Sequence, residues 1–228
     1  MNIKVKHYEN GNIKRVAIKN EKGGLHNTEG PAEQEWYENG QEEYRSYYVN
    51  GKLHNIEGPA EQEWYESGQE HYRDYWVNGH RHNTEGPAYQ SWYKNGQEEC
   101  RSYWVNGKLH NTEGPAVQDW YRNGQEKYRA FCVNSVRHNT EGPARQEWHK
   151  NGQEEYRLYY VNGRVHNTEG PAYQSWHGNG QEYYREYHLN GERLTKEEWE
   201  KKVNSVEIEC EGKTVTISRE SAKALNLM

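Results

Sequence analysis

The chain has 228 residues and is rich in aromatic side chains, with 9 Trp, 20 Tyr and 1 Phe. Its 29 Lys and Arg against 35 Asp and Glu give a formal charge of −6, which favours solubility and argues against nonspecific attraction to nucleic acid or anionic lipid. A mean hydropathy of −1.43 excludes a large aliphatic core, while the aromatic content excludes the composition of a disordered chain.

In chain order, residues 1–24 read as a degenerate hairpin. Tyr8-Glu9-Asn10-Gly11 marks a turn, Val16 and Ile18 alternate, and Gly23-Gly24 follows. Residues 25–192 are six tandem units of 28 residues, beginning at Leu25, Leu53, Arg81, Leu109, Arg137 and Val165. A fixed period of this length calls for a repeat architecture, in which each unit packs on its neighbours. The motif His26-Asn27-Thr28-Glu29-Gly30-Pro31-Ala32 recurs in every unit, with Ile56 replacing the Thr in the second copy. Two turn signals follow it, Asn39-Gly40 and Asn50-Gly51 in the first unit. Asn-Gly between extended tracts favours a two-residue type I′ hairpin, because both central positions take positive φ.

These marks leave room for two antiparallel strands per unit, Ala32–Glu38 and Gln41–Val49. A two-residue Asn39-Gly40 loop sets Trp36 opposite Glu43, Gln34 opposite Arg45 and Ala32 opposite Tyr47. The other face then receives Tyr37 with Glu42, Glu35 with Tyr44 and Glu33 with Ser46. This alternation separates constant residues from changing ones. Positions equivalent to Ala32, Gln34, Trp36 and Arg45 barely vary, whereas Glu33 becomes Glu61, Tyr89, Val117, Arg145 and Tyr173. Tyr48 becomes Trp76, Trp104, Cys132, Tyr160 and His188. The expectation is a structural face of repeated side chains and a variable face turned to solvent or a partner.

Residues 193–228 break the period. Thr195 is placed to cap a helix through Val203, with Glu197 or Glu198 in its first turn. Val206, Ile208 and Cys210 alternate before Glu211-Gly212, and Val215 and Ile217 follow, a second hairpin pattern. Ser218 or Ser221 then opens a short helix containing Ala222, Ala224 and Leu225. Such an atypical end suits a cap over the array, with an independent binding module as the alternative. The expected fold class is mostly β: an elongated tandem β-hairpin array with a small α/β C-terminal cap.

Tyr37-Glu38-Asn39-Gly40-Gln41 and Tyr48-Val49-Asn50-Gly51-Lys52 resemble MORN-variant repeats. The whole unit, with its HNTEGPA segment, resembles tandem-repeat proteins of bacteria and giant viruses. The resemblance covers 25–192 well, 1–24 weakly and the tail not at all. It implies an elongated hairpin scaffold, with protein or lipid binding in some members and antitoxin-like roles in bacterial ones. The long HNTEGPA connector departs from the usual MORN pattern, so a lipid-binding role is not carried over. No catalytic residue set maps onto this chain.

The repeated polar residues admit chemical readings. His26, His54, His82, His110, His138 and His166 are expected roughly 10 Å apart along a sheet with two strands per unit, too far for consecutive ones to share a metal whose ligands lie about 2 Å away. They read instead as turn bridges or ring-stacking groups. Glu29 and its equivalents lack the further oxygen ligands of a calcium loop and read as acceptors for turn N–H groups or as partners of a neighbouring basic group. Arg45, Arg73, Arg101, Arg129, Arg157 and Arg185 offer two readings: a structural stack against Gln34- and Trp36-type residues, or a cationic, aromatic ladder for nucleic acid or nucleotides. Cys100, Cys132 and Cys210 are odd in number and lack metal-binding spacing, so packing or free thiols in a reducing cytoplasm is expected. No apolar run approaches the roughly 20 residues of a membrane span, and Met1–Lys6 lacks the apolar stretch of a secretory signal. No nucleophile-elbow or phosphate-loop signature is present.

The leading expectation is therefore a non-enzymatic, cytoplasmic protein-recognition scaffold without cofactor or metal, with an inhibitory role in bacterial immunity or phage–host conflict implied by the resemblance. Tyr48, Trp76, Tyr89, Trp104, Tyr160 and Tyr173 supply aromatic anchors, and Lys94, Arg122, Arg145 and Lys150 adjust the charge around them. Self-association through the same aromatics is the competing use. Nucleic-acid or nucleotide recognition by the Arg ladder is the alternative function.

Overall fold

The computed structural model describes residues 1–210 and 213–227. The expected Glu211-Gly212 turn and the side chain of Cys210 lie outside the described residues. The fold is mostly β, built from tandem antiparallel hairpins with two short helices near the C-terminus. It divides into two compact units, Met1–Val136 with Glu147–Gly152, and Arg137–Gln146 with Gln153–Met228.

In the first unit, strands Asn2–His7 and Ile13–Lys19 form a hairpin, and Glu33–Trp36 joins its second strand. Each following repeat adds two strands in chain order. The first of them carries the Gln34-type residue and the second the Arg45-type residue, as in Glu33–Trp36 and Glu42–Ser46. Gln34 faces Arg45, Glu35 faces Tyr44 and Glu33 faces Ser46, as the sequence pattern requires.

Beyond Glu35 the register departs from expectation. Trp36 pairs with Glu42 rather than Glu43, across a bulge. Tyr37 N–H donates to the Gln41 carbonyl at 2.9 Å and Gly40 N–H to the Tyr37 carbonyl at 2.9 Å. Glu38, Asn39 and Gly40 are thus a three-residue loop, not a two-residue one. Only Gly40 has positive φ (85°), so a type I turn closed by a glycine in the left-handed region replaces the type I′ turn. Asn39 favours this geometry because its Oδ1 accepts from Gln41 N–H at 2.9 Å. The second Asn-Gly behaves as expected. Asn50 (φ 51°) and Gly51 (φ 76°) both adopt positive φ, and Val49 pairs with Lys52 around a type I′ turn.

The tract Gln41–Val49 is also not one strand. It breaks at Tyr47, whose N–H donates to the Ala60 carbonyl of the next repeat at 2.8 Å. Tyr48–Val49 then pairs with Lys52–Leu53 in a separate two-stranded ladder. Where chain leaves sheet, only a methyl group fits: Ala32, Ala60, Ala88 and Ala116 are completely buried. The expected pair of Ala32 with Tyr47 is replaced by Ala32 N–H donating to the Ser46 carbonyl at 2.8 Å.

The HNTEGPA connector is a loop braced by its own asparagine. Asn27 Nδ2 donates to the Pro31 carbonyl at 3.0 Å, and Glu29 N–H donates to Asn27 Oδ1 at 3.2 Å. His26 Nδ1 accepts from the Asn50 N–H at 3.0 Å. The same His–turn bond recurs at His54, His82 and His110. These histidines are turn bridges, one of the structural roles the sequence suggested. Residues 1–24 repeat the logic in reduced form: Tyr8 N–H donates to the Asn12 carbonyl and Tyr8 Oη to the Trp36 carbonyl, as in the full repeats.

In the second unit, Glu154–Leu158, Tyr173–Trp176 and Glu182–Leu189 pair in succession, and Glu192–Leu194 closes the edge. The helix Lys196–Val203 starts at Thr195 with a reciprocal cap: the Thr195 hydroxyl accepts from Glu198 N–H, and the Glu198 carboxylate accepts from Thr195 N–H. Its one buried residue, Trp199, donates its indole N–H to the Asn167 carbonyl at 2.8 Å and packs on Tyr187 with ring centres 5.2 Å apart. Strands Ser205–Cys210 and Lys213–Ser218 pair as expected, and Ser218 caps the helix Arg219–Ala224. No helix among the described residues is long and apolar enough to cross a membrane.

Candidate recognition face

One face of the first unit is occupied by a repeating stack. Arg45 lies 4.6 Å from the ring centre of Trp64, Arg73 4.8 Å from Trp92, Arg101 4.7 Å from Trp120 and Arg129 4.6 Å from Trp148. Each guanidinium therefore sits on the tryptophan of the following repeat. Each also meets the glutamate across the bulge: Arg45 with Glu42 at 3.1 Å and Arg73 with Glu70 at 2.5 Å. The Gln34-type amide donates to the same glutamate, at 3.0 Å from Gln34 to Glu42. The bulge turns the glutamate onto this face, where glutamine, arginine and tryptophan converge. In the second unit Arg157 stacks on Trp176 at 4.7 Å, while Arg185 pairs with Glu182 at 2.7 Å, also meets Tyr187, and is the most exposed ladder arginine. Tyr75 and Val77 share with Gln90 a cavity of about 620 Å³ bounded by two connectors, so Tyr47- and Val49-type residues flank the same face.

The opposite face collects the changing positions. Register alone places Tyr44, Glu61, Tyr72, Asp74, Tyr89, Cys100 and Asp119 there. Tyr44 Oη donates to Glu61 at 2.6 Å, and the rings of Tyr72 and Tyr89 stack with centres 6.0 Å apart. Burial raises the pKa of both Tyr44 and Tyr72. Burial, with Asp119 accepting from it, also raises the Cys100 thiol, which disfavours the reactive thiolate.

The centre of this face is Arg81. Its Nε donates to Asp74 Oδ1 and Oδ2 at 3.1 and 3.0 Å, and its Nη2 to Oδ2 at 2.8 Å. Its guanidinium carbon lies 4.8 Å from the Tyr89 ring, 5.3 Å from Trp76 and 5.6 Å from Trp104. The strand break at Tyr75 makes this possible, because it swings Trp76 out of the main sheet and into a ladder with Arg81. Trp104 is held by its indole N–H donating to Ser102 Oγ at 2.8 Å. Asp74 is 2% exposed. Burial pushes its carboxyl up to about 6, although Arg81 pulls in the opposite direction.

Three of the expected anchors, Trp76, Tyr89 and Trp104, are thus brought together. Tyr48 is half-buried in its own two-stranded ladder, where its burial raises its pKa. Lys94, Arg122 and Lys150 are exposed at corresponding hairpin tips, away from the Arg81 cluster, and asparagine side chains tie neighbouring tips: Asn95 Nδ2 donates to the Arg122 carbonyl and Asn123 Nδ2 to that of Lys150. Arg145, Tyr160 and Tyr173 belong to the second unit. There Arg145 lies over Tyr156 at 4.9 Å, Arg137 over Tyr160 at 5.9 Å, and Tyr173 meets Tyr156 and Tyr184.

Sequence reasoning missed Arg81 and Asp74. The signal was present in two columns of the repeat. Position 46 runs Ser46, Asp74, Ser102, Ala130, Leu158, Glu186, and the position seven residues later runs Leu53, Arg81, Leu109, Arg137, Val165, Arg193. Where the first column carries a carboxylate, the second carries arginine. Glu186 and Arg193 indeed pair at 3.1 Å, as Asp74 and Arg81 do. Among the described residues no group of three or more His, Cys, Asp or Glu is placed to hold a metal ion. Comparison with protein-family models, with curated proteins and with solved structures finds no match.

Proposed function

We propose that this chain is a MORN-like recognition scaffold that binds a protein partner through its variable face, without catalysing a reaction. The observation that carries this reading is the gathering of repeat-to-repeat changes around Arg81, while constant residues stack on the reverse face. Trp76, Tyr89 and Trp104 offer broad, half-buried surfaces with polar edges, the side-chain types that dominate binding energy in protein interfaces. Their fixed positions limit the ordering cost of association. Arg45, Arg73, Arg101, Arg129 and Arg157 are each engaged by a tryptophan and a glutamate, which supports a framework role for them rather than phosphate contact. Occlusion of a partner's surface is the mechanism this geometry suits, and the resemblance to antitoxin-like repeat proteins adds an inhibitory role in cellular conflict.

The test is capture of a stoichiometric partner by the wild-type chain and by two variants. Trp104→Ala is expected to lose the partner while retaining the fold. Thr112→Ala, in a connector away from this face, is expected to retain it. Equal capture by both variants, or no stoichiometric partner, would contradict the proposal.

A further inference from the structure

Among the described residues the first strand, Asn2–His7, is paired on one side only, with Ile13–Lys19, and every one of its residues is exposed. Its other edge presents unpaired backbone groups, which are a template for another strand. The side chains alternate. Lys4 and Lys6 share a face with Ala17, Arg15 and Lys19, whereas Ile3 and Val5 lie on the other face, 62% and 46% exposed. Two copies of this strand would oppose lysines to lysines, so self-pairing of like edges is disfavoured. An acidic strand of the same alternation fits.

The chain carries one. Ser205–Cys210 reads Ser-Val-Glu-Ile-Glu-Cys, and its only strand partner among the described residues is Lys213–Ser218. Glu207 and Glu209 are exposed, and Val206 and Ile208 occupy the alternate positions. We propose that Asn2–His7 of one molecule adds to the free edge of Ser205–Cys210 of a second molecule, giving head-to-tail assembly. Both strands have six residues. Antiparallel pairing with Lys4 opposite Glu209 sets Lys6 opposite Glu207 and Val5 opposite Ile208, so charge and apolar positions match at once. Such a contact is heterologous, leaves one edge of each kind free on every dimer, and therefore propagates. A six-residue strand pairing is small compared with stable interfaces, so the assembly is weak and reversible.

The test is sedimentation velocity of the full-length chain across a concentration series, under reducing conditions. The wild type is expected to grow in mass with concentration beyond a dimer, and to do so less at high salt. Lys4→Glu/Lys6→Glu and Glu207→Lys/Glu209→Lys, all at exposed positions, are each expected to weaken association about tenfold or more. An equimolar mixture of the two variants restores opposite charges at both junctions and is expected to recover assembly. A wild-type chain that stays monomeric at all concentrations overturns the proposal, as does assembly indifferent to the charge reversals or a mixture that does not recover it. Lys4 and Lys6 lie on the edge strand of the variable face, with several strands between them and Asp74, whereas Glu207 and Glu209 belong to the second unit. Assembly lost and partner capture kept in Glu207→Lys/Glu209→Lys therefore separates failure of this proposal from failure of the recognition reading.

Discussion

The two faces of the first unit use the same kinds of residue to different ends. On the constant face, Arg45, Arg73 and Arg101 each stack on the tryptophan of the next repeat and pair with a glutamate across a bulge. On the variable face, Arg81 stands among three aromatic rings and pairs with a buried carboxylate. The first arrangement recurs because it joins each repeat to its neighbour. The second occurs where two columns of the repeat change together. An Arg–aromatic cluster is therefore framework or surface feature according to whether the period reproduces it, not according to its composition.

The largest effect is expected on the constant face. Trp92→Ala removes the platform for Arg73 and should cost about 3 kcal/mol in urea unfolding, whereas Trp104→Ala should cost less than half of that. Equal losses would break the distinction between the faces.

The pH response isolates the variable face. Asp74 holds its proton more tightly in the native state than in the unfolded chain, since burial raises its pKa from 3.8 to about 6. Its contribution is thus fully present below about pH 4 and is lost as pH rises through 6. The change should be on the order of 2–3 kcal/mol. Asp74→Asn should flatten this part of the stability profile, read by thermal unfolding between pH 4 and 7, relative to wild type.

Transplanting the pair sharpens the comparison further. Ser46 is fully buried, so Ser46→Asp alone should cost about 2 kcal/mol by burying an unpaired carboxylate. Adding Leu53→Arg should recover at least half, as Arg81 does for Asp74. A smaller effect tests the periodic clamps. Tyr65 Oη donates to the Trp92 carbonyl at 2.8 Å, and Tyr65→Phe should lower stability by about 1 kcal/mol.

Much of this was legible in the sequence because the repeat turns chance coincidences into columns. The hairpin array, the Gln34–Arg45 register, the histidine turn bridges and the Thr195 helix all follow from spacing and local chemistry. The turn at Asn39 did not, because Asn-Gly serves both a type I′ turn and a type I turn with a bulge, and the choice rests on how many residues the flanking pair encloses. The break at Tyr47 was hidden because strand alternation continues through it; only the complete burial of the Ala32-type residues reveals the bend. The Arg81 site needed that bend, since it brings Trp76 back over the sheet. Tyr48, Trp76 and Trp104 were recognisable as changing positions, but the cation they surround was not.

The account depends most on neighbouring repeats being held together through arginine on tryptophan. A double-mutant cycle on Arg101→Ala and Trp120→Ala, measured by urea unfolding, tests this directly. The stacking distance of 4.7 Å should give a coupling energy of about 1 kcal/mol. Losses that simply add, with no coupling, would contradict it.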